Sequence, residues 1–147
     1  MQPLHSTSLS IDWFDCGLCP GDSIVHEQIT VSRINNAITI KQFDGADRLL
    51  VKTEVAVQEE LVNDLFLYID GLCHTDAWAS DYSVMVCDGF CWEMVIRFGR
   101  SRRQKIKGTV DLPPYGEVIT RNIKDMLENT YCLVMPRIFG IDPEDDE

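Results

Sequence analysis

The residues best equipped for chemistry are six cysteines, four of which form two close pairs, Cys16-x-x-Cys19 and Cys87-x-x-x-Cys91. Thiolates so spaced on two loops are able to hold zinc tetrahedrally, with the glycines of Cys16-Gly-Leu-Cys-Pro-Gly letting backbone amides approach the sulfurs. Against a zinc site, the second pair has three intervening residues rather than two and spans an Asp88-Gly89 turn. A thioredoxin-like redox role needs the CxxC motif to open a helix, and Pro20-Gly21-Asp22 leads into a strand pattern instead. Unliganded thiols acting as small buried fillers are therefore the favoured reading, with a regulatory or adventitious disulfide, such as Cys87 facing Cys91 across the turn, weighed beside zinc as the lesser ones. No cofactor is expected, with zinc on Cys16, Cys19, Cys87 and Cys91 as the alternative.

A basic run is the second chemical feature: Arg97, Arg100, Arg102, Arg103, Lys105 and Lys107, with Phe98 and Tyr115 near it in sequence. Arginine grips phosphate and aromatic rings stack on bases, but charges on a hairpin also simply discourage edge-to-edge pairing. His5, His26 and His74 are scattered and fall in no triad or HExxH setting. Glu60 and Asp64, at helical i, i+4 spacing, mark a solvated face. There is no glycine-rich phosphate loop, and nothing in the chain asks for catalysis.

The elements that carry these residues follow from periodicity. Leu9, Ile11 and Trp13 alternate with polar residues, as a half-buried strand requires. A second strand over 23–34, with Val25, Ile29 and Val31 on one face, turns at Asn35-Asn36 into a third over 37–43. Asp44-Gly45 makes the next turn, and Leu49, Val51 and Thr53 continue the meander. From Val57 the period becomes helical: Val57, Leu61, Leu65, Tyr68 and Leu72 form a stripe widened by Val62 and Ile69, with Gly71 as the expected stop. Strands follow over 82–87, over 92–98 (with Trp92, Val95, Ile96 and Phe98 expected in the core) and over 104–110. Beyond Pro113-Pro114 lies a second helix marked by Ile119, Ile123 and Met126, with Val118 and Leu127 beside them. The segment 131–138 is apolar but interrupted by Pro136.

The expected fold is therefore α+β: an antiparallel β-meander of about seven strands with two amphipathic helices packed on it. The 147 residues suit one domain over 1–140, followed by an acidic tail over 141–147 expected to be mobile. No apolar run is long enough for a membrane-spanning helix, and MQPLHSTSLS has no basic flank or apolar block, so a cytoplasmic address is expected.

In its later half, Trp78, Tyr82, Asp88-Gly89, Trp92, the strand to Phe98, Gly108, Pro113 and the amphipathic helix resemble an uncharacterised domain of gut-dwelling Gram-positive bacteria and their mobile elements. The resemblance spans 78–127. It implies an α+β fold and supplies neither an activity nor site residues.

Charge then shapes the functional expectation. The net charge is −11, yet it is unevenly laid out: residues 1–90 hold 14 acids and 4 bases, whereas residues 91–140 hold 5 acids and 9 bases. Such acidity argues against direct contact with nucleic acid. It fits a small non-catalytic interaction protein that binds a larger basic protein or nucleic-acid enzyme, in the manner of phage or mobile-element inhibitors (anti-CRISPR-like proteins or nuclease inhibitors). Asp44, Asp47, Glu54, Asp76 and Asp81 are the candidate phosphate-mimicking side, and Arg100, Arg102, Arg103 and Lys105 the candidate second contact or homodimer surface.

Overall fold

A computed structural model of the chain describes residues 5–15, 24–75, 78–82, 90–99, 102–109, 113 and 115–129. The elements run β1 (Ser8–Asp15), β2 (Ile24–Ser32), β3 (Ala37–Asp44), β4 (Leu49–Ala56), α1 (Glu59–His74), β5 (Asp81–Tyr82), β6 (Phe90–Phe98), β7 (Arg102–Thr109) and α2 (Gly116–Asn129). This is the α+β fold that the periodicities predict, with a seven-stranded sheet in the order β4-β3-β2-β1-β6-β7-β5.

The sheet departs from a pure meander. β1 to β4 zigzag in sequence order, and the β6–β7 hairpin joins them by pairing β6 antiparallel to β1. β5 then adds to the far edge, parallel to β7 through Asp81↔Lys107 and Tyr82↔Gly108. Among the described residues β5 and β6, on either side of the expected DG turn, are not paired, because β7 lies between them. Pro113 is described, whereas the turn itself, the rest of the expected strand over 82–87 and the apolar segment 131–138 fall outside the described residues.

Strand alternation sorts side chains into two faces. On the helix-covered face, one row runs Val55–Ile38–Val31–Leu9–Ile96, and the next runs Ile40–Ile29–Ile11–Met94–Ile106. A third row, Gln42–Glu27–Trp13–Trp92–Gly108, is partly polar yet buried. There Gln42 Nε2 donates to the Glu27 carboxyl at 2.6 Å, so this buried polar group has a hydrogen-bonding partner. Gly108 is required at its place. A Cβ there would stand 2.5 Å from the Trp92 ring.

The helices supply the other half of the core. α1 buries Val62, Leu65, Phe66, Ile69, Leu72 and Cys73, and α2 buries Ile119, Ile123, Met126 and Leu127. The stripe on α1 is rotated from the expected one, centring on Val62, Phe66, Ile69 and Cys73 while Leu61 and Tyr68 stay half-buried. Gly71 is passed over: α1 continues to His74 and ends where Thr75 Oγ1 donates to the Gly71 and Leu72 carbonyls. In β6 the alternation starting at Trp92 buries Met94 and Ile96, turning Val95 to the opposite face and leaving Phe98 at the core margin. Val118 is 41% exposed rather than packed.

Turns follow local chemistry. The β2–β3 loop covers four residues, with Ser32 pairing Ala37 and Asn36 taking a positive φ of 51°. At the β3–β4 turn the positive φ belongs to Asp47, at 62°. A polar staple closes the opposite end of the sheet onto α1. Arg33 reaches Asp70 Oδ2 and the Ser6 carbonyl, both at 3.1 Å, while Ser6 donates through N–H and Oγ to Asp70 Oδ1.

Candidate functional site

The residues expected to form one two-signed interface are held apart by the sheet. Asp44, Asp47 and Glu54 belong to the β3–β4 end, whereas Arg102, Arg103 and Lys105 belong to β7. Five strand-to-strand steps separate β4 from β7, which at ~4.8 Å each is roughly 24 Å.

The β3–β4 end is not an acidic surface. Asp44 is 2% exposed, and its carboxylate is consumed by its own turn: Oδ1 accepts from the Ala46 and Arg48 amides, and Oδ2 from Arg48 Nε at 2.8 Å. The Arg48 amide is the first of several donors that hold the Asp44 carboxyl below its ordinary pKa. This aspartate organises a turn, so its place among phosphate-mimicking residues is corrected. Asp47 and Glu54 are exposed, but Lys41, Arg48 and Lys52 sit among them on the same two strands and turn. Asp81 lies on the other side of the sheet, 3.8 Å from Lys107. Asp76 lies outside the described residues.

The basic strand is partly neutralised as well. Lys105 Nζ meets Glu93 across β6–β7 at 2.5 Å, and the Arg102 guanidinium stands 6.0 Å from the Phe98 ring centroid. Arg97 and Arg103 are opposed and exposed, and Arg100 lies outside the described residues.

Negative charge with no lysine or arginine on the same element gathers on α1 instead. α1 contains no lysine or arginine, and Glu59, Glu60 and Asp64 are all exposed on it. Beside them, α1 and α2 frame a groove of about 330 Å³ lined by Leu61, Asp64, Leu65, Asn122, Asp125 and Met126. Its floor is apolar, since Leu65 and Met126 are buried and Leu61 is half-buried. Its rim is polar and acidic, since Asp64, Asn122 and Asp125 are exposed. Sequence periodicity reads Glu60 and Asp64 as an ordinary solvated face. Asp125 becomes part of the same site only through the packing of α2 beside α1.

Cys73 is free and buried, but Cys91 is disulfide-bonded, so the expectation of an unliganded thiol at Cys91 is corrected. In this oxidised form its sulfur is not a thiolate able to bind zinc. Cys16, Cys19 and Cys87 lie outside the described residues. Among the described residues, no three His, Cys, Asp or Glu side chains gather as a metal-holding group.

One histidine has a structured setting that the sequence did not mark. His26 is stacked between Phe14 and Phe43, with ring centroids at 4.3 and 4.8 Å, and its Nε2 lies 3.7 Å from Asp12. Among the described residues, that nitrogen has no hydrogen-bond partner. No described helix is long and apolar enough to cross a membrane. Compared with known proteins, the chain matches no protein-family model and no curated protein.

Proposed function

We propose that this chain is a non-catalytic interaction protein whose α1–α2 layer docks on a basic protein surface. The class of partner it fits best is a nucleic-acid enzyme, whose phosphate-binding surface is lined with arginine and lysine. The observation that carries this reading is the exposed face of α1, free of lysine and arginine, continuous with an acidic-rimmed, apolar-floored groove. An arginine or lysine suits such a groove in two ways. Its aliphatic stem lies over Leu65 and Met126 while its charged head meets Asp64 and Asp125. Occupying the enzyme's phosphate surface would make the chain an inhibitor by exclusion, and its own charge would speed the encounter.

The test is capture from a lysate on immobilised chain at low salt, followed by a salt ladder. The reading expects a basic nucleic-acid enzyme to be retained and then released as salt rises. It also expects the enzyme to be lost when Glu59, Glu60 and Asp64 are changed to Gln, Gln and Asn. Retention of nothing at low salt, or undiminished retention on that triple variant, would count against it.

A further inference from the structure

We propose that β4 is a self-complementary edge, through which two copies of this chain pair as an antiparallel two-fold ribbon centred on Thr53. The inference rests on the sheet and not on the α1–α2 groove.

β4 ends the sheet, and among the described residues no strand lies beyond it. It is eight residues long, contains no proline, and exposes Leu49 and Leu50 at 51% and 46%. An edge of that length with apolar residues is a template for another strand. The Val57 amide donates to the Asn36 carbonyl at 2.8 Å, which fixes the phase of the ladder. By alternation, Val55, Thr53 and Val51 direct their backbone groups to β3, and Ala56, Glu54 and Lys52 direct theirs outward.

Placing Thr53 opposite the partner's Thr53 then sets Lys52 opposite the partner's Glu54, and Glu54 opposite the partner's Lys52. These are residues with outward backbone groups, so each pair exchanges backbone hydrogen bonds as well as charge. On the other face, Val51 meets the partner's Val55, both half-buried at the margin of the helix-covered core. Leu50 falls opposite the partner's Ala56, and both are exposed in the single chain. Other registers are disfavoured. A two-residue shift sets Lys52 against the partner's Lys52 in one direction and Glu54 against the partner's Glu54 in the other. A one-residue shift puts the apolar face on the polar side. The pattern therefore selects both the partner and the register.

Sedimentation of the full chain over a concentration series tests this. The expected result is a reversible dimer. Lys52→Glu alone and Glu54→Lys alone should each weaken it by roughly ten-fold or more, since two attractive cross-strand pairs become repulsive. The double exchange, Lys52→Glu with Glu54→Lys, should restore it. Thr53→Cys supplies a second readout: under mild oxidation it should form a reducible covalent dimer that the unsubstituted chain does not form. A species of monomer mass at every concentration overturns the proposal. So does a dimer indifferent to the single exchanges, or a Thr53→Cys chain that stays uncrosslinked.

Discussion

Two glycine-to-alanine substitutions should move stability in opposite directions, and the structure gives both signs. In a strand, alanine normally improves on glycine by roughly 0.5–1 kcal/mol, because the unfolded chain loses less entropy on folding. At Gly108 that gain is overwhelmed. The added Cβ would lie 2.5 and 2.8 Å from two Trp92 ring atoms and 3.1 Å from the Tyr82 Cβ. Trp92 is 1% exposed and pairs with Trp13 on its other side, so the ring has no free space to retreat into. Overpacking of this kind costs about 1–3 kcal/mol net, a fall in Tm of roughly 2–10 °C for a chain of this size. Gly71 is the opposite case. It sits inside α1, exposed, with nothing within 4 Å of an added Cβ, so Gly71→Ala should stabilise by about 0.5–1 kcal/mol. Thermal and urea unfolding followed by circular dichroism reads both. Equal or raised stability of Gly108→Ala would refute the close packing of β6 on β7. Loss of stability in Gly71→Ala would refute the continuation of α1 past that residue.

Three further outcomes follow from the same geometry. Asp70→Ala removes the acceptor shared by Arg33 and Ser6 and leaves the 10%-exposed Arg33 side chain without its counter-ion, with only the neutral Ser6 carbonyl and Asn63 amide as acceptors, so it should cost about 2–4 kcal/mol in urea unfolding. Asp44 titrates below its ordinary value in the folded protein, so its ionised form adds stability that is present above the unfolded carboxyl pKa and lost as pH falls through the folded one. Asp44→Asn should therefore flatten the acid limb of a stability-versus-pH curve, and an unchanged limb would speak against the turn network. Cys91→Ser should raise the thiol count of denatured, non-reduced protein by one per chain, because its bonded sulfur is released. A fall of one would mean that Cys91 is reduced.

Much of the fold is legible in the sequence because period and polarity change together. Alternation through Ile11 and Trp13 and the shift to helical spacing after Val57 place the elements within a few residues. What stays hidden depends on partners distant in sequence. Val95 and Ile96 are both apolar neighbours, so only the phase set by Trp92 pairing with Trp13 decides that Ile96 points inward. The parallel docking of β5 on β7 has no local signature, and a glycine in a helix looks like a stop until Thr75 is seen to close the turn. The candidate site suffers most from this distance effect. Asp44 looks like an accessible acid but is spent on its own turn, whereas Asp125 joins the groove only because α2 lies beside Asp64. Charge counted along the chain therefore differs from charge presented to a partner.

The most direct test of docking through the helix layer is the salt dependence of affinity for the captured basic partner. It compares the chain with a variant carrying Glu59→Gln, Glu60→Gln and Asp64→Asn. The account predicts a steep fall in affinity with salt for the native chain. For the variant it predicts a shallower slope and a roughly ten- to hundred-fold weaker complex at low salt. Identical slopes and affinities for the two proteins would contradict it.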